Sequence, residues 1–145
     1  MDAPAPLAPT PAAPAGPAPR LGDYAVTARL ERRSTADVYE ATHAPTGAAR
    51  LVYVLRPHAM QQPGFVHRLA HEVDAARWLR HPAIAKVDAC AETPNGRLYV
   101  ATERPAGRSL AGVLAEGGRL GVGRVVRLGG RLVEALAEAH AVGLV

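Results

Sequence analysis

The sequence predicts an α+β fold, in which one antiparallel sheet of five strands is followed by a small group of helices. Three observations lead to this fold class. Five short runs rich in β-branched and aromatic residues are separated by turn residues, as the strands of an antiparallel sheet are. One stretch with apolar residues at helical spacing lies between the third and the fourth run. Two further helical patterns follow the fifth run.

The first twenty residues are expected to lie outside this fold. They contain seven of the thirteen prolines, and alanine fills most of the gaps between them. Such a segment favours solvated polyproline II, and it lacks the basic and apolar regions of a signal peptide. We therefore divide the chain into a disordered tail at 1–20, a sheet unit at 21–103 and an incomplete helical unit at 104–145.

Strands are predicted at residues 24–30, 37–42, 51–57, 84–91 and 98–102. The third is the strongest, because the unbroken run LVYVL begins at Leu51 and Pro57 closes the segment. The turn between the second and third strands contains Pro45 and Gly47, which are turn residues. The first three strands should therefore form an antiparallel meander.

The helix inserted after the third strand is predicted to begin at Pro63 and Gly64 and to end before Pro82, over about sixteen residues. Trp78 is expected to pack at its end. The apolar stripe of this helix consists of Phe65, Leu69, Val73, Ala76 and Leu79.

Two helices are predicted beyond residue 104. Ser109 is the expected N-cap of a short helix that ends near Glu116, and a longer helix spans about 122–140. Residues 143–145 are interpreted as the start of another strand. The apolar face of the longer helix consists of Val125, Leu128, Leu132, Val133, Leu136 and Ala139.

Composition argues against several classes of function. The net charge is +4, but the arginines are scattered, Lys86 is the single lysine and there are six aromatic residues, so we expect no nucleic-acid partner. The sequence contains no run of about twenty apolar residues, so it predicts no membrane span. Cys90 is the only cysteine, which indicates a cytoplasmic protein with a small buried thiol. His67 and His71 lie four residues apart beside Glu72, but no third ligand converges, so we expect no metal site.

Short sequence motifs along the chain indicate one family. They are VYEA, a Thr-Gly turn, VLRP, a glutamate inside a helix, HPAI, LYVATE followed by GRSL, and ALAEAHAVGLV. In this order and at this spacing they resemble the N-terminal half of a bacterial Ser/Thr protein kinase domain, over residues 24–145. The resemblance implies a kinase N-lobe at 21–103, with the hinge and the first C-lobe helices at 104–145.

The resemblance also locates the ATP site of the family. It assigns nucleotide-site positions to Leu30, Val38, Tyr53, Glu72, Thr102 and Glu103. The family's glycine-rich loop lets backbone N–H groups approach the phosphates. Here Glu31, Arg33 and Ala36 occupy the places of its three glycines. The phosphate cradle is therefore expected to be degenerate.

The position of the family's ATP-binding lysine is occupied by Tyr53. A tyrosine side chain is neutral at pH 7 and supplies no cation for the α- and β-phosphates. Glu72 matches the glutamate that pairs with that lysine, so we hypothesise that the Tyr53 hydroxyl donates a hydrogen bond to its carboxylate. With Thr102 as gatekeeper, one adenine-binding N–H would belong to Pro105, which has none.

The family's catalytic loop, H-R-D, and its metal-binding D-F-G do not occur in the sequence up to Val145. We therefore predict no catalytic residue, no metal ligand and no bound cofactor for this chain. Two functions remain open. The first is a non-catalytic pseudokinase module that acts through a protein partner or through self-association of its uncovered final helix. The second is the front piece of a Ser/Thr kinase, in which later sequence completes ATP and Mg²⁺ binding.

Overall fold

The computed structural model describes residues 19–144 of the chain. The predictions for residues 1–18 and for Val145 lie outside the described residues. The strands and helices follow one another as β1 (Arg20–Leu21), β2 (Tyr24–Arg32), β3 (Ala36–His43), β4 (Ala49–Leu55), α1 (Pro57–Met60), α2 (Phe65–Ala76), β5 (Val87–Glu92), β6 (Leu98–Glu103), α3 (Leu110–Gly117) and α4 (Val122–Ala141).

The predicted fold class is confirmed: the strands form one antiparallel sheet in the order β1-β2-β3-β4-β6-β5, and α2 is inserted between β4 and β5. All five predicted strands are present, and the sheet has a sixth, β1, which pairs Arg20 with Ala25. The Val26 N–H also donates to the Pro19 carbonyl at 3.0 Å. The paired chain therefore already includes residue 20, which the sequence assigned to the tail. The difference arises because a two-residue strand has no periodicity to detect.

One face of the sheet carries the core. Its fully or nearly buried members are Tyr24, Ala41, Val52, Val54, Tyr99 and Ala101. Alternate residues of a strand point to one face, and the apolar run in β4 therefore supplies both faces. At the edge of this core Gly22 has φ +58°, and a Cβ there would lie 2.5 Å from the Tyr99 hydroxyl. Only glycine fits this turn between β1 and β2.

The opposite face of the sheet lies toward α2. Val38, Tyr53 and Val100 are neighbours in register across β3, β4 and β6, and Cys90 of β5 continues the same row. Helix α2 packs against β5 and buries Val73. This is the face that contains the candidate nucleotide site.

Helix α2 is shorter than predicted, with 12 residues instead of about sixteen. Its last turn tightens, since the N–H groups of Trp78 and Leu79 donate three residues back, to Ala75 and Ala76, at 3.1 and 3.2 Å. Leu79 remains buried at 6% exposure, but Trp78 is 79% exposed, so its predicted packing role is wrong. Strand β5 starts three residues later than predicted, because Ile84 lies in a turn and its N–H donates to the His81 carbonyl.

The two C-terminal helices agree with the prediction. Ser109 caps α3, and its hydroxyl accepts a hydrogen bond from the Gly112 N–H at 3.1 Å. Helix α4 exposes much of its apolar face, including Leu132 at 60%. The strand predicted after it is absent up to Leu144. Instead the Gly143 and Leu144 N–H groups donate to the carbonyls of His140 and Ala139, which closes the helix with a Schellman motif.

No helix within residues 19–144 is long and apolar enough to cross a lipid bilayer.

Candidate functional site

A row of side chains crosses the sheet at the position expected for nucleotide phosphates. Register pairs Glu31 of β2 with Val38 of β3, Val38 with Tyr53 of β4, and Tyr53 with Val100 of β6. Directly paired residues share one face of an antiparallel sheet. Glu31 and Tyr53 therefore lie on the same face, separated by the buried Val38, which is 3% exposed.

Arg33 lies over this row. Its guanidinium carbon is 5.6 Å from the centre of the Tyr53 ring, which is the geometry of a cation–π contact. Its Nε donates to the Glu31 carboxylate at 2.9 Å. The three side chains form one cluster, in which a carboxylate neutralises a guanidinium that rests on an aromatic ring. We call Glu31, Arg33 and Tyr53 the Arg33 cluster.

The loop that carries Arg33 is short and tied down. Only residues 33–35 separate β2 from β3, and the Arg33 N–H donates to the Ala36 carbonyl at 2.8 Å. The Arg56 N–H donates to the Thr35 carbonyl at 2.9 Å, which joins the loop to the end of β4. The Arg33 N–H is therefore already used inside the hairpin. A loop of this form has fewer free N–H groups for a phosphate than a glycine-rich loop.

Glu72 does not join the cluster. It is exposed on α2 and lines a cavity of about 170 Å³ together with His67, His71 and Leu144. No hydrogen bond or ion pair joins Glu72 to Tyr53 within the described part of the chain. The hypothesis that the Tyr53 hydroxyl bonds to the Glu72 carboxylate is therefore wrong: the Tyr53 ring packs under Arg33, and Glu72 is exposed at another cavity.

His67, His71 and Glu72 share this cavity, but they do not form a metal centre. Between residues 19 and 144, no group of three His, Cys, Asp or Glu side chains is arranged to hold a metal ion. The arginine side chain of Arg68 lines the same cavity and adds positive charge to it.

The remaining predicted site residues lie on β2 and along β6. Leu30 falls at a bulge, because the register of β2 and β3 shifts between Arg29 and Glu31. Thr102 is half-buried and donates its hydroxyl to the Glu103 carbonyl at 3.2 Å. The Glu103 N–H donates to the Lys86 carbonyl at 2.8 Å, and Pro105 follows with no N–H of its own. Both the N–H and the carbonyl of Glu103 therefore already make hydrogen bonds within the chain.

The shifted pKa values in the described chain belong to the sheet and not to the Arg33 cluster. Burial raises the pKa of Tyr24 and of Tyr99, which are core residues. Burial also raises the pKa of the Cys90 thiol, with the nearby Arg77 guanidinium acting in the opposite direction. A raised pKa keeps this thiol protonated at neutral pH, so it is a poor nucleophile.

Sequence reasoning missed the Arg33 contact and a second charged cluster behind it. The Asp37 carboxylate accepts a hydrogen bond from Arg29 at 3.0 Å and lies 3.7 Å from the Arg97 guanidinium. Arg97 also donates its Nε to the Leu55 carbonyl at 3.0 Å, which connects the ends of three strands. The available signal was the repeated arginine at Arg32 and Arg33 directly before the hairpin turn.

Comparison with known proteins finds protein kinases that are similar to this chain. Ser/Thr protein kinase Pkn3 of Myxococcus xanthus is 30% identical over 122 residues, which are 84% of this chain and 22% of that protein. Ser/Thr protein kinase PknA of Mycobacterium tuberculosis is 30% identical over 128 residues, which are 86% of this chain and 30% of that protein. The crystal structure of the Mycobacterium tuberculosis PknI kinase domain superimposes with a TM-score of 0.77 at 26% identity.

This chain is similar to bacterial Ser/Thr protein kinases in sequence and to a kinase domain in structure. It covers less than a third of the length of Pkn3 and of PknA, and 54% of the PknI kinase-domain chain. No protein-family model matches it. The part present is a kinase N-lobe with the start of a C-lobe, as the sequence predicted.

The similarity to protein kinases relates the Arg33 cluster to the predicted ATP site. In protein kinases the third long strand of the N-lobe carries the ATP-binding lysine, and the sequence resemblance predicts that Tyr53 of β4 stands at that position. The hairpin above it would be the glycine-rich loop, and here it brings Arg33 down onto the ring. The two residues that the resemblance assigns to these positions are therefore in contact with each other.

Proposed function

We propose that this chain is a non-catalytic kinase-like module, a pseudokinase, which acts in cytoplasmic signalling through protein–protein contacts and uses no cofactor. One observation carries the proposal: the Arg33 guanidinium lies 5.6 Å from the centre of the Tyr53 ring. Tyr53 stands at the family's lysine position, and Arg33 stands at the position of its second loop glycine. The contact between Arg33 and Tyr53 would therefore occupy both the lysine position and the glycine position.

The charges of the cluster work against a bound triphosphate. Glu31 pairs with Arg33 at 2.9 Å, so the guanidinium is already neutralised by a carboxylate that would repel phosphate. Both partners are partly exposed, so the pair is worth at most about 1 kcal/mol, and the cation–π contact adds about 0.5–1 kcal/mol. These contacts alone would not exclude ATP.

The missing lysine is the larger effect. A hydrogen bond to a charged group contributes about 1.5–3 kcal/mol, so removing the lysine alone should weaken binding by at least about tenfold. The exposed Glu72 then lacks its family partner, and Pro105 removes an adenine donor. The chain therefore lacks a contact to the phosphates, the pairing with the helix glutamate and a hinge hydrogen bond to adenine. Each loss should further weaken nucleotide binding.

The protein-contact part of the proposal is supported by the helices. Helix α4 exposes Val125, Leu132 and Leu136 at 51%, 60% and 53%. Exposed apolar surface of this extent is typical of an interaction site. Helix α3 lies beside it and also exposes apolar residues, Leu110 at 51% among them.

A second function is favoured because this chain covers only part of the length of the similar kinases. The chain spans 54% of the PknI kinase-domain chain. The alternative is therefore that it is the N-terminal fragment of a Ser/Thr kinase, in which sequence beyond Val145 supplies the catalytic loop and the Mg²⁺ ligands. ATP and Mg²⁺ would then be its cofactors.

Thermal unfolding with and without ATP and Mg²⁺ tests the proposal, first on this chain and then on the longest product of its gene. We expect no ATP-dependent rise in melting temperature in either. The variant Arg33→Gly/Tyr53→Lys should gain such a rise, whereas Arg32→Gly/Leu51→Lys, with the same changes one and two residues away, should not.

Two results separate the candidate functions. An ATP-dependent rise in the unmodified chain would contradict the pseudokinase proposal directly. If the gene continues into H-R-D and D-F-G, and the complete domain alone is stabilised by ATP and Mg²⁺, the fragment interpretation replaces it.

A further inference from the structure

The face of the sheet opposite the Arg33 cluster contains a groove of about 140 Å³. Val26 and Val54 lie at its floor and are 7% and 4% exposed. Successive residues of a strand point to opposite faces, so Val54 lies on the face opposite to that of Tyr53. The groove is therefore separate from the candidate nucleotide site, and all the residues that line it lie between 19 and 97.

The lining of this groove favours an uncharged, apolar occupant. Pro19, Leu21 and Tyr39 form its sides, and the β5–β6 turn forms its polar end. In that turn the Arg97 guanidinium already lies 3.7 Å from the Asp37 carboxylate. Among the described residues no buried side-chain nitrogen or oxygen lacks a hydrogen-bond partner, so the groove contains no group that requires a charged ligand. Grooves with apolar and aromatic sides are typical binding sites for polyproline II.

The β5–β6 turn also offers a hydrogen-bond donor to an occupant. The Thr93 hydroxyl donates to the side-chain oxygen of Asn95, and the Asn95 NH₂ group makes no hydrogen bond within residues 19–144. A polyproline II segment has no internal hydrogen bonds, so its carbonyls are free acceptors. The Asn95 NH₂ group can therefore donate to a carbonyl of such a segment.

The chain carries a segment of this kind beside the groove. Pro19 is both a side of the groove and the residue at which the tail joins the sheet, since its carbonyl accepts from the Val26 N–H at 3.0 Å. The tail contains Pro11, Pro14 and Pro17 at spacings of three. Because polyproline II has three residues per turn, these proline rings would lie along one side of it.

The length of the tail allows this segment to return to the groove. Gly16 can reverse the chain, because glycine adopts backbone conformations that other residues avoid. Pro19 lies three residues beyond Gly16, which is about 10 Å of extended chain. Pro11 and Pro14 lie about 16 Å and about 6 Å before Gly16 in polyproline II. After a reversal at Gly16 the segment 11–14 therefore passes beside Pro19.

We propose that residues 11–14 of this chain dock into the groove as polyproline II, with a proline ring over Val26 and Val54. Docking orders a part of the tail for which the sequence alone predicts full solvation. Tethering raises the local concentration of the segment to about the millimolar range, so a weak contact suffices. The stiffness of polyproline II also limits the entropy that is lost on docking. The proposal does not depend on the proposed function, because the groove and the Arg33 cluster lie on opposite faces of the sheet.

Two-dimensional ¹H–¹⁵N NMR of the complete 145-residue chain tests this proposal. The variant Pro11→Gly/Pro14→Gly removes both rings and the stiffness of the segment. It should shift the amide signals of Leu21, Tyr39 and Asn95, which line the groove, and leave those of α2 unchanged.

The matched control for this variant is Pro4→Gly/Pro6→Gly, which makes the same changes outside the docking segment. It should leave the groove signals where they are in the unmodified chain. Both variants change only residues that precede the sheet, so the sheet should stay folded, and the dispersion of its signals checks this.

A change in the groove itself should have the same effect as the loss of the two prolines. Asn95→Asp keeps the oxygen that accepts from Thr93, but its second oxygen repels a proline carbonyl. The groove signals should then match those of the Pro11→Gly/Pro14→Gly variant. Gln62→Glu replaces an amide by a carboxylate away from the groove and should have no effect on them.

A synthetic peptide of residues 8–17 tests the occupant directly. Added to the Pro11→Gly/Pro14→Gly chain at millimolar concentration, it should restore the groove signals. It should bind the unmodified chain at least about threefold more weakly, because the tail already occupies the groove.

Three results would overturn the proposal. The first is a set of groove signals that is the same in the unmodified chain and in the Pro11→Gly/Pro14→Gly variant. The second is a peptide that does not bind the variant. The third is a peptide that binds both proteins equally, which would show that the groove accepts a proline-rich partner other than this tail.

Discussion

The Arg33 guanidinium lies 5.6 Å above the Tyr53 ring and 2.9 Å from the Glu31 carboxylate. Arg33 contacts both of the other residues, whereas the buried Val38 lies between Glu31 and Tyr53. The resemblance to kinases predicts that Glu31 and Arg33 stand at loop-glycine positions and Tyr53 at the lysine position, and the proposed function rests on that assignment.

A double-mutant cycle should detect this contact in stability. Arg33→Ala and Tyr53→Leu should show a coupling free energy of about 0.5 kcal/mol, because both side chains are partly exposed and cation–π contacts of that kind are weak. Urea denaturation of the four proteins measures it. The pair Arg32→Ala and Tyr53→Leu is the matched control and should be additive; additivity in the Arg33 cycle as well would contradict the contact.

The charged cluster behind the hairpin should contribute more. The Asp37 side chain is only 15% exposed and interacts with both Arg29 and Arg97, so Asp37→Asn should lower the free energy of unfolding by about 1–2 kcal/mol. Asp74→Asn breaks a 3.9 Å pair whose carboxylate is 75% exposed and should cost less than about 0.5 kcal/mol. Equal costs in chemical denaturation would show that burial of Asp37 does not matter.

The Ser109 cap predicts a local effect. Its hydroxyl accepts from the Gly112 N–H at 3.1 Å, so Ser109→Ala should destabilise α3 by about 1 kcal/mol. Amide hydrogen exchange in α3 is the measurement, because this helix buries none of its own residues and can fray without global unfolding. Exchange in β3 and β4 should not change, and unchanged protection in α3 would refute the role of the cap.

Stability should fall at alkaline pH because of the core tyrosines. Burial raises the pKa of Tyr24 and of Tyr99 above the ordinary value of 10.0. The unfolded chain therefore loses these protons first, so the stabilisation is complete below about pH 10 and is lost as pH rises through the folded pKa values. Urea unfolding at increasing pH should show this decline.

The control for that series is a pair of variants. Tyr24→Phe/Tyr99→Phe removes the titrating hydroxyls and should flatten the alkaline decline. Tyr39→Phe, a change of the same kind on the same sheet, is the matched control. A decline that is the same in all three proteins would mean that other groups cause it.

Much of the fold was readable because the local signals agree with one another. The strands at β2, β3, β4, β5 and β6 were predicted, since alternating apolar residues and turn residues mark each of them. The end of α2 was misplaced because Leu79 continues the apolar stripe although the backbone has already tightened into a three-residue turn. Strand β1 and helix α1 were missed because they have 2 and 4 residues, too few for any period.

The site was readable only in part. Position along the chain led to the predictions for Tyr53 and Glu72, which stay predictions, but it could not reveal that a three-residue hairpin loop places Arg33 over the Tyr53 ring. The expected bond between Tyr53 and Glu72 followed the geometry of a lysine, whose long flexible chain can reach the helix. A rigid aromatic ring stays over its own strand and is covered by the nearest guanidinium.

Calorimetric titration of the unmodified chain with ATP and Mg²⁺ tests the central claim most directly, namely that the Arg33 cluster has replaced a nucleotide site. We predict no saturable heat up to millimolar nucleotide, which corresponds to a binding free energy weaker than about −4 kcal/mol. Saturable binding of one nucleotide per chain at micromolar concentration, lost in Tyr53→Leu or Glu72→Gln, would contradict the account.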